Sequence, residues 1–150
     1  MNKIRFLLEF LLLFVGILFA SCSKKEAMSP VPEIEFVSAT PTTVQAFQDS
    51  IQFRISYKDG DGDLGDNNDS VQNVFLTDSR NNISYTYRLQ ELAPSGSKIS
   101  IQGFVNIKLK RLGLLDENNN QETATFAIYI KDRAENLSNT VITSSILISK

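Results

Sequence analysis

Histidine and tryptophan are absent from this sequence of 150 residues, and cysteine occurs only once, as Cys22. Without histidine, the chain has no Ser-His-Asp or Cys-His catalytic arrangement and no histidine ligand for zinc or iron. A single cysteine excludes an intramolecular disulfide, so packing or a bound ion must stabilise the fold. A glycine-rich phosphate loop is also absent. These absences argue against catalysis, and we expect the protein not to be an enzyme.

A long hydrophobic run is missing as well. Lys3 and Arg5 precede an apolar stretch over residues 10–19, and small residues lead from there to Cys22. A span across a bilayer needs about twenty apolar residues, so this stretch is too short to cross one. The pattern predicts a secretory signal, and with the cysteine at the cleavage point it resembles a bacterial lipoprotein signal. The resemblance implies that residues 1–21 are removed and that Cys22 is lipidated. An ordinary secretory signal is the alternative.

Basic charge is not in excess either. Without Lys3, Arg5 and Glu9, the 15 basic and 17 acidic side chains become 13 and 16, a formal charge of −3. This balance offers no basic stripe for nucleic acid, and we expect no nucleic-acid partner. The polar, proline-punctuated residues 22–32 predict a tether between the lipid and a single domain over residues 33–150.

The residues after the cysteine bear on location. They read Ser-Lys-Lys-Glu, whereas surface-exported lipoproteins of the Bacteroidetes often carry acidic residues at this point. We therefore expect a protein of the cell envelope, lipid-anchored to the outer membrane, with the periplasmic face favoured over the cell surface.

Apolar and polar residues alternate with period two over most of the remaining chain. Each alternation predicts a strand with one buried and one solvated face, and turn-forming residues separate the runs. The predicted strands are 33–39, 51–57, 72–77, 83–89, 99–109, 126–130 and 141–148. About seven strands at this spacing predict an all-β fold, an antiparallel Ig-like β-sandwich, with a β-barrel as the alternative. Gly103 lies in phase within its run and predicts a bulge or bend.

An acidic, glycine-rich loop follows the second predicted strand. It reads Asp-Gly-Asp-Gly-Asp-Leu-Gly-Asp over residues 59–66. Clustered carboxylates repel one another unless a cation holds them together, and Ca²⁺ takes six to eight oxygen ligands in flexible geometry. We predict a Ca²⁺ site whose ligands include Asp59, Asp61, Asp63 and Asp66. The spacing is not that of an EF-hand, and a solvated acidic turn is the alternative.

A second polar segment, residues 131–139, joins the last two predicted strands. In an Ig-like order the loops that leave the second and sixth strands lie at the same end of the sandwich. Asp132 and Asn136 are therefore predicted to add oxygen ligands to the same Ca²⁺ site, with Glu135 close by.

Two stretches resemble known families. Residues 53–65 look like the strand and acidic turn of many small Bacteroidetes lipoproteins. Residues 129–139 are similar to the penultimate turn of bacterial immunoglobulin-like and cadherin-like domains, which usually reads Asp-x-Ala-Gly-Asn-x-Ser, and here Glu135 replaces the glycine. The resemblance implies a lipoprotein with an Ig-like fold. It implies no particular activity, because fold analogy does not license a function.

Two short motifs resemble the Asp-Ser-aliphatic acceptor of Bacteroidetes O-glycosylation. Ser50 and Ser70 are the candidate acceptors, and Ser70 is favoured because it lies in a predicted loop.

Three functions stay open on the sequence. The favoured one is a lipid-anchored Ig-like binding or adhesion module, stabilised by calcium. The alternative is a structural or assembly subunit of an envelope complex without a metal. An enzyme of unrecognised type is least favoured: the acidic residues formally allow two-carboxylate glycoside hydrolysis, but a domain of this size leaves little room for a cleft. Tyr85 and Tyr87 are predicted to point inward, so few rings remain for stacking on sugars, and we expect a protein partner rather than a glycan.

Overall fold

The computed structural model describes residues 27–150, so the predicted signal and Cys22 lie outside the described residues. This part of the chain is all-β, with ten strands and no helix, which confirms the predicted fold class at that level. The strands are β1 Glu33–Thr40, β2 Thr43–Gln45, β3 Ser50–Asp59, β4 Val74–Asp78, β5 Ser84–Tyr87, β6 Ile101–Lys110, β7 Gln121–Ala124, β8 Phe126–Ile130, β9 Val141–Ile142 and β10 Ile146–Ser149. Over residues 27–150 there is accordingly no helix long and apolar enough to cross a membrane.

The strands form three sheets. Their orders are β1-β3-β6, β2-β10-β7 and β5-β4-β8-β9, and every pairing is antiparallel except that of β2 with β10. Thr125 alone separates β7 from β8, and residues 143–145 separate β9 from β10. Phe126 N–H donates to Thr143 Oγ1 (3.0 Å) and Thr143 N–H donates to the Phe126 carbonyl (2.9 Å). These two hydrogen bonds link the second and third sheets close to the places where the chain passes from one sheet to the other.

The core lies between the first sheet and the other two. Ile51, Phe53 and Ile55 alternate along β3 with exposed or half-exposed residues and are at most 1% exposed. The Phe53 ring meets the Phe126 ring edge-on, with 5.1 Å between centroids. Tyr85 and Tyr87 of β5 pack against this core, as the alternation predicted. One buried face on each sheet is what the period of two requires.

Strand number differs from the prediction for a local reason. β7 precedes the strand predicted at 126–130 and is not predicted by the alternation, and the run predicted over 141–148 is interrupted at residues 143–145 and forms two strands, β9 and β10. β2, of three residues, is too short to leave an alternation in the sequence. Ile83 and Ile99 were assigned to strands, but they lie outside β5 and β6 and are half-exposed.

The bulge predicted at Gly103 is wrong. The β3–β6 register runs without a shift from Ser50↔Lys110 to Asp59↔Ile101, and the irregularity lies instead in β1, between Phe36 and Ser38. Gly103 is paired with Tyr57, and a Cβ added to it would lie 2.9 Å from Tyr57 Oη. The glycine therefore makes room for the tyrosine ring across the strand pair.

Candidate metal centre

The acidic loop begins at the last residue of β3. Asp59 is completely buried, and Asp61 and Asp63 are partly buried. One carboxylate oxygen from each of the three lies within 4.8 Å of the others. The Oδ1 atom of each is buried and has no hydrogen-bond partner. Buried polar atoms are nearly always paired, so three buried carboxylate oxygens without a hydrogen-bond partner make this loop a candidate cation site.

Glycines and one leucine hold the loop in this shape. Gly62 and Gly65 adopt left-handed backbone conformations (φ 75° and 87°), which glycine does without a steric cost. Leu64 is fully buried, and its N–H donates to Asp59 Oδ2 at 3.1 Å. Gly60 N–H donates to the Ser29 carbonyl at 2.8 Å, so the start of the described chain lies against the loop.

The environment opposes ionisation of Asp59 and Asp63. Burial raises the pKa of Asp59, and the charges of Asp61 and Asp132 raise it further, against the lowering effect of the Leu64 N–H. Burial, followed by the charges of Asp132, Asp61 and Asp59, raises the pKa of Asp63 to about 6. Desolvation and like charge both penalise a carboxylate, and a divalent cation would remove both penalties.

The segment 131–139 packs on this loop. Arg133 N–H donates to the Asp63 carbonyl (3.3 Å) and Ala134 N–H to Asp63 Oδ2 (3.2 Å). The Arg133 guanidinium donates to the Gly65 carbonyl (2.6 Å) and forms an ion pair with Glu91 (3.4 Å). The two loops therefore lie at the same end of the fold.

No side-chain cation within the described chain neutralises the cluster. The ion pairs of residues 27–150 join Arg80 to Asp78 and Glu122, and Arg88, Lys131 and Arg133 to one partner each, none of them Asp59, Asp61 or Asp63. The guanidinium of Arg133 was not singled out from the sequence. A basic residue directly after Asp132 in a turn facing an acidic loop is the signal that would have identified it.

The other predicted ligands have other partners. Asp132 is 4% exposed, and its two oxygens accept from the backbone and side-chain nitrogens of Asn136 (2.8 and 2.9 Å). Asp132 therefore contributes charge to the centre, and Asn136 holds it in place. Asp66 Oδ1 accepts from Asn68 N–H at 2.7 Å in a local turn, apart from the cluster of three.

Glu135 occupies the position where the similar domains carry glycine. Its backbone is left-handed (φ 68°), and its side chain pairs with Lys131 at 2.6 Å. The turn thus keeps the conformation that favours glycine, with a residue that pays a steric penalty for it.

The donor set suits a hard cation. Three carboxylates supply oxygen ligands and negative charge, which is what Ca²⁺ prefers, and backbone carbonyls or water complete its coordination in many sites. Asp59, Asp61 and Asp63 would hold the ion, with Asp132 beside them.

The two candidate glycosylation sites differ in exposure. Ser70 is exposed in the loop after the acidic run, and its N–H donates to Asn68 Oδ1 at 3.0 Å. Ser50 is partly buried and paired with Lys110 at the start of β3. Ser70 is thus the more accessible acceptor.

Comparison with known proteins adds little to this geometry. No family model matches the chain, and no match is found among curated proteins. Among solved structures, the chain is similar to a protein described as Northeast Structural Genomics Consortium target SoR45, at 8% identity and a TM-score of 0.27. The likeness covers 79% of this chain and 83% of that one. At that score it carries no argument about fold or function.

Proposed function

We propose that this protein is a lipid-anchored envelope protein whose β-sandwich is an Ig-like module that binds a partner protein. Ca²⁺ stabilises this module at the end where the acidic loop 59–66 meets the segment 131–139. The observation that carries the calcium site is the set of three buried, unpartnered Oδ1 atoms of Asp59, Asp61 and Asp63. One carboxylate oxygen from each of these three residues also lies within 4.8 Å of the others, a spacing at which a single cation can contact all three.

Strand order supports the Ig-like assignment. When β7 with β8 and β9 with β10 are each counted as one strand, β1-β3-β6 faces a second layer of β2, β10/β9, β7/β8, β4 and β5. With short β2 left out of the count, the first, second and fifth strands form one layer, and the seventh, sixth, third and fourth lie in that order in the other. Ig-like sandwiches likewise place the first, second and fifth strands in one sheet and the third, sixth and seventh in the other.

A calcium-dependent thermal melt of residues 23–150 tests the ion site. This segment includes the whole described core. At about a hundred times its dissociation constant, Ca²⁺ should add about 2.7 kcal/mol, or about 10 °C for a domain of this size. Asp61→Asn with Asp63→Asn should abolish the shift. Asp69→Asn is the matched control, since Asp69 lies just after the acidic loop, its side chain is 89% exposed and it pairs with Arg88.

The result also separates the two envelope functions. If wild-type protein melts at the same temperature with calcium and with chelator, the ion site is absent, and the metal-free assembly subunit becomes the better proposal. A shift that survives the double substitution would place the ion elsewhere.

Lipid anchoring rests on Cys22 and is tested by itself. In cells, the wild-type protein should partition into the detergent phase after cloud-point separation, and Cys22→Ser should move it to the aqueous phase. Retention of the variant in the detergent phase contradicts the anchor.

A further inference from the structure

A groove lies on the open side of the sandwich, between two uncovered strand edges. β5 ends one sheet and β6 ends another. The groove has a volume of about 370 Å³ and is lined by Tyr85, Thr86, Tyr87, Lys108, Leu109 and Lys110. This volume falls in the lower part of the range of ligand pockets, about 300–1,000 Å³.

β6 offers a long edge for pairing. It has ten residues and pairs with β3 along its whole length, and in the described chain it has no other strand partner. In an antiparallel pair, alternate residues direct their N–H and C=O groups away from the partner strand. About half of the residues of β6 therefore present backbone groups that an added strand can use, and strand addition at an open edge is a recurrent mode of peptide recognition.

Charge selects the occupant. Lys108 and Lys110 line the groove and are exposed, and neither belongs to an ion pair among residues 27–150. They form a basic rim on a chain of net negative charge. Lysines on an edge strand discourage pairing with a like-charged edge, so a second copy that paired through β6 would bring the same lysines together. An acidic segment meets no such penalty.

We propose that the β6 edge and its groove bind an extended, acidic segment of a partner protein as an added strand. The segment's backbone pairs with β6, its carboxylates face Lys108 and Lys110, and its apolar side chains lie against Tyr85 and Tyr87. This deepens the proposed function, because it names the partner surface of the binding module. It does not depend on the ion, since the groove shares no residue with the calcium site.

The test uses a ten-residue peptide of alternating glutamate and valine, matched in length to β6, and the same peptide with lysine for glutamate. Binding to ¹⁵N-labelled residues 23–150 is followed by NMR, together with hydrogen exchange of the β6 amides. The acidic peptide should bind with a dissociation constant of about 1 mM or tighter and slow exchange along β6. The basic peptide should not bind.

Charge reversal gives the decisive comparison. Lys108→Glu with Lys110→Glu should weaken binding of the acidic peptide by about tenfold or more. Lys98→Glu, the same change at an exposed lysine before the other end of β6, should leave it unchanged. Equal binding of both peptides, an undiminished affinity after charge reversal, or no saturable binding overturns the proposal.

The two proposals fail separately. The charge-reversed protein should keep its calcium-dependent melt, and the peptide affinity should be the same in calcium and in chelator. Peptide binding without a calcium-dependent shift would support the groove proposal and contradict the calcium site. A calcium-dependent shift without peptide binding would support the calcium site and contradict the groove proposal.

Discussion

At Asp63, burial and neighbouring carboxylates act against ionisation, and this has a measurable pH dependence. The folded-state pKa of Asp63 is about 6 against 3.8 for an ordinary aspartate. Between these values the folded chain binds more protons than the unfolded chain. The stability contributed by Asp63 is therefore fully present below about pH 4 and is lost as the pH rises through about 6.

In chelator, we expect the melting temperature of wild type to fall relative to that of Asp63→Asn as the pH rises from 4 to 7. In calcium the trend should reverse, because a bound cation favours the ionised form. Thermal melts of both proteins across this range provide the measurement. A parallel pH dependence of the two proteins in chelator would show that Asp63 ionises freely.

At Glu135, the left-handed backbone conformation destabilises the fold. A non-glycine residue loses about 1–2 kcal/mol there, and the exposed pair with Lys131 returns at most about 1 kcal/mol. Glu135→Gly should therefore stabilise the fold by about 0.5–1 kcal/mol, measured by urea unfolding. Glu135→Gln keeps the backbone penalty and removes the charge, so it should be neutral or slightly destabilising. Stabilisation by both variants alike would assign the effect to charge.

At the level of single residues, part of the candidate site could be predicted from the sequence. Alternate spacing after a strand was enough to group Asp59, Asp61 and Asp63, because a tight glycine-containing loop directs alternate side chains inward. The separate position of Asp66 was not predictable, since its partner Asn68 is one of several adjacent polar residues that can close a local turn. The part played by Arg133 depends on contacts between segments some 70 positions apart in the chain.

At the scale of elements, the segment before β7 is held by one carboxylate. Glu122 accepts from the N–H groups of Leu115 and Asp116 and from Arg80. Chiefly because of these two backbone amides, its pKa is lowered to about 2. Its stabilising effect is therefore present above about pH 4.5 and is lost as the pH falls toward 2.

Glu122→Gln should consequently lower the melting temperature at neutral pH, and the difference from wild type should shrink between pH 4.5 and pH 2. Glu117→Gln is the control, because Glu117 is exposed in the same segment. Melts at a series of pH values decide the matter, and a difference that persists unchanged at pH 2 would contradict the role given to ionised Glu122.

The strand β3 organises the core, so one of its side chains reports on the contact between sheets. Phe53→Ala removes the ring that meets Phe126 and should cost about 3–5 kcal/mol in unfolding free energy. Phe104→Ala on neighbouring β6 is the control: that ring is 57% exposed and packs under Arg54 at 4.2 Å, so its loss should cost about 1 kcal/mol or less. Comparable costs in chemical denaturation would mean that the sheets do not share a core at Phe53.

Alternation predicted the strands that carry this core and failed where the chain departs from period two. The alternate positions of Ile51, Phe53 and Ile55 predict β3, because all three side chains face the same buried side. The three residues of β2 bind β10 in parallel and leave no comparable pattern. The breaks at Thr125 and at residues 143–145 coincide with a hydrogen bond between distant segments, from Phe126 N–H to Thr143 Oγ1, which no local pattern records.

For the whole molecule, the contact of Ser29 with Gly60 places the start of the described chain at the end of the sandwich that carries Asp59, Asp61 and Asp63. Six residues lie between Cys22 and Ser29, and the seven Cα–Cα steps that join them reach at most about 25 Å. If Cys22 carries the lipid, the end of the sandwich with Asp59, Asp61 and Asp63 is the end nearer the membrane. β3 rises about 30 Å from Asp59 to Ser50, and Ser50 is paired with Lys110. In that orientation the groove at Lys108 and Lys110 would lie at the end of the sandwich away from the lipid.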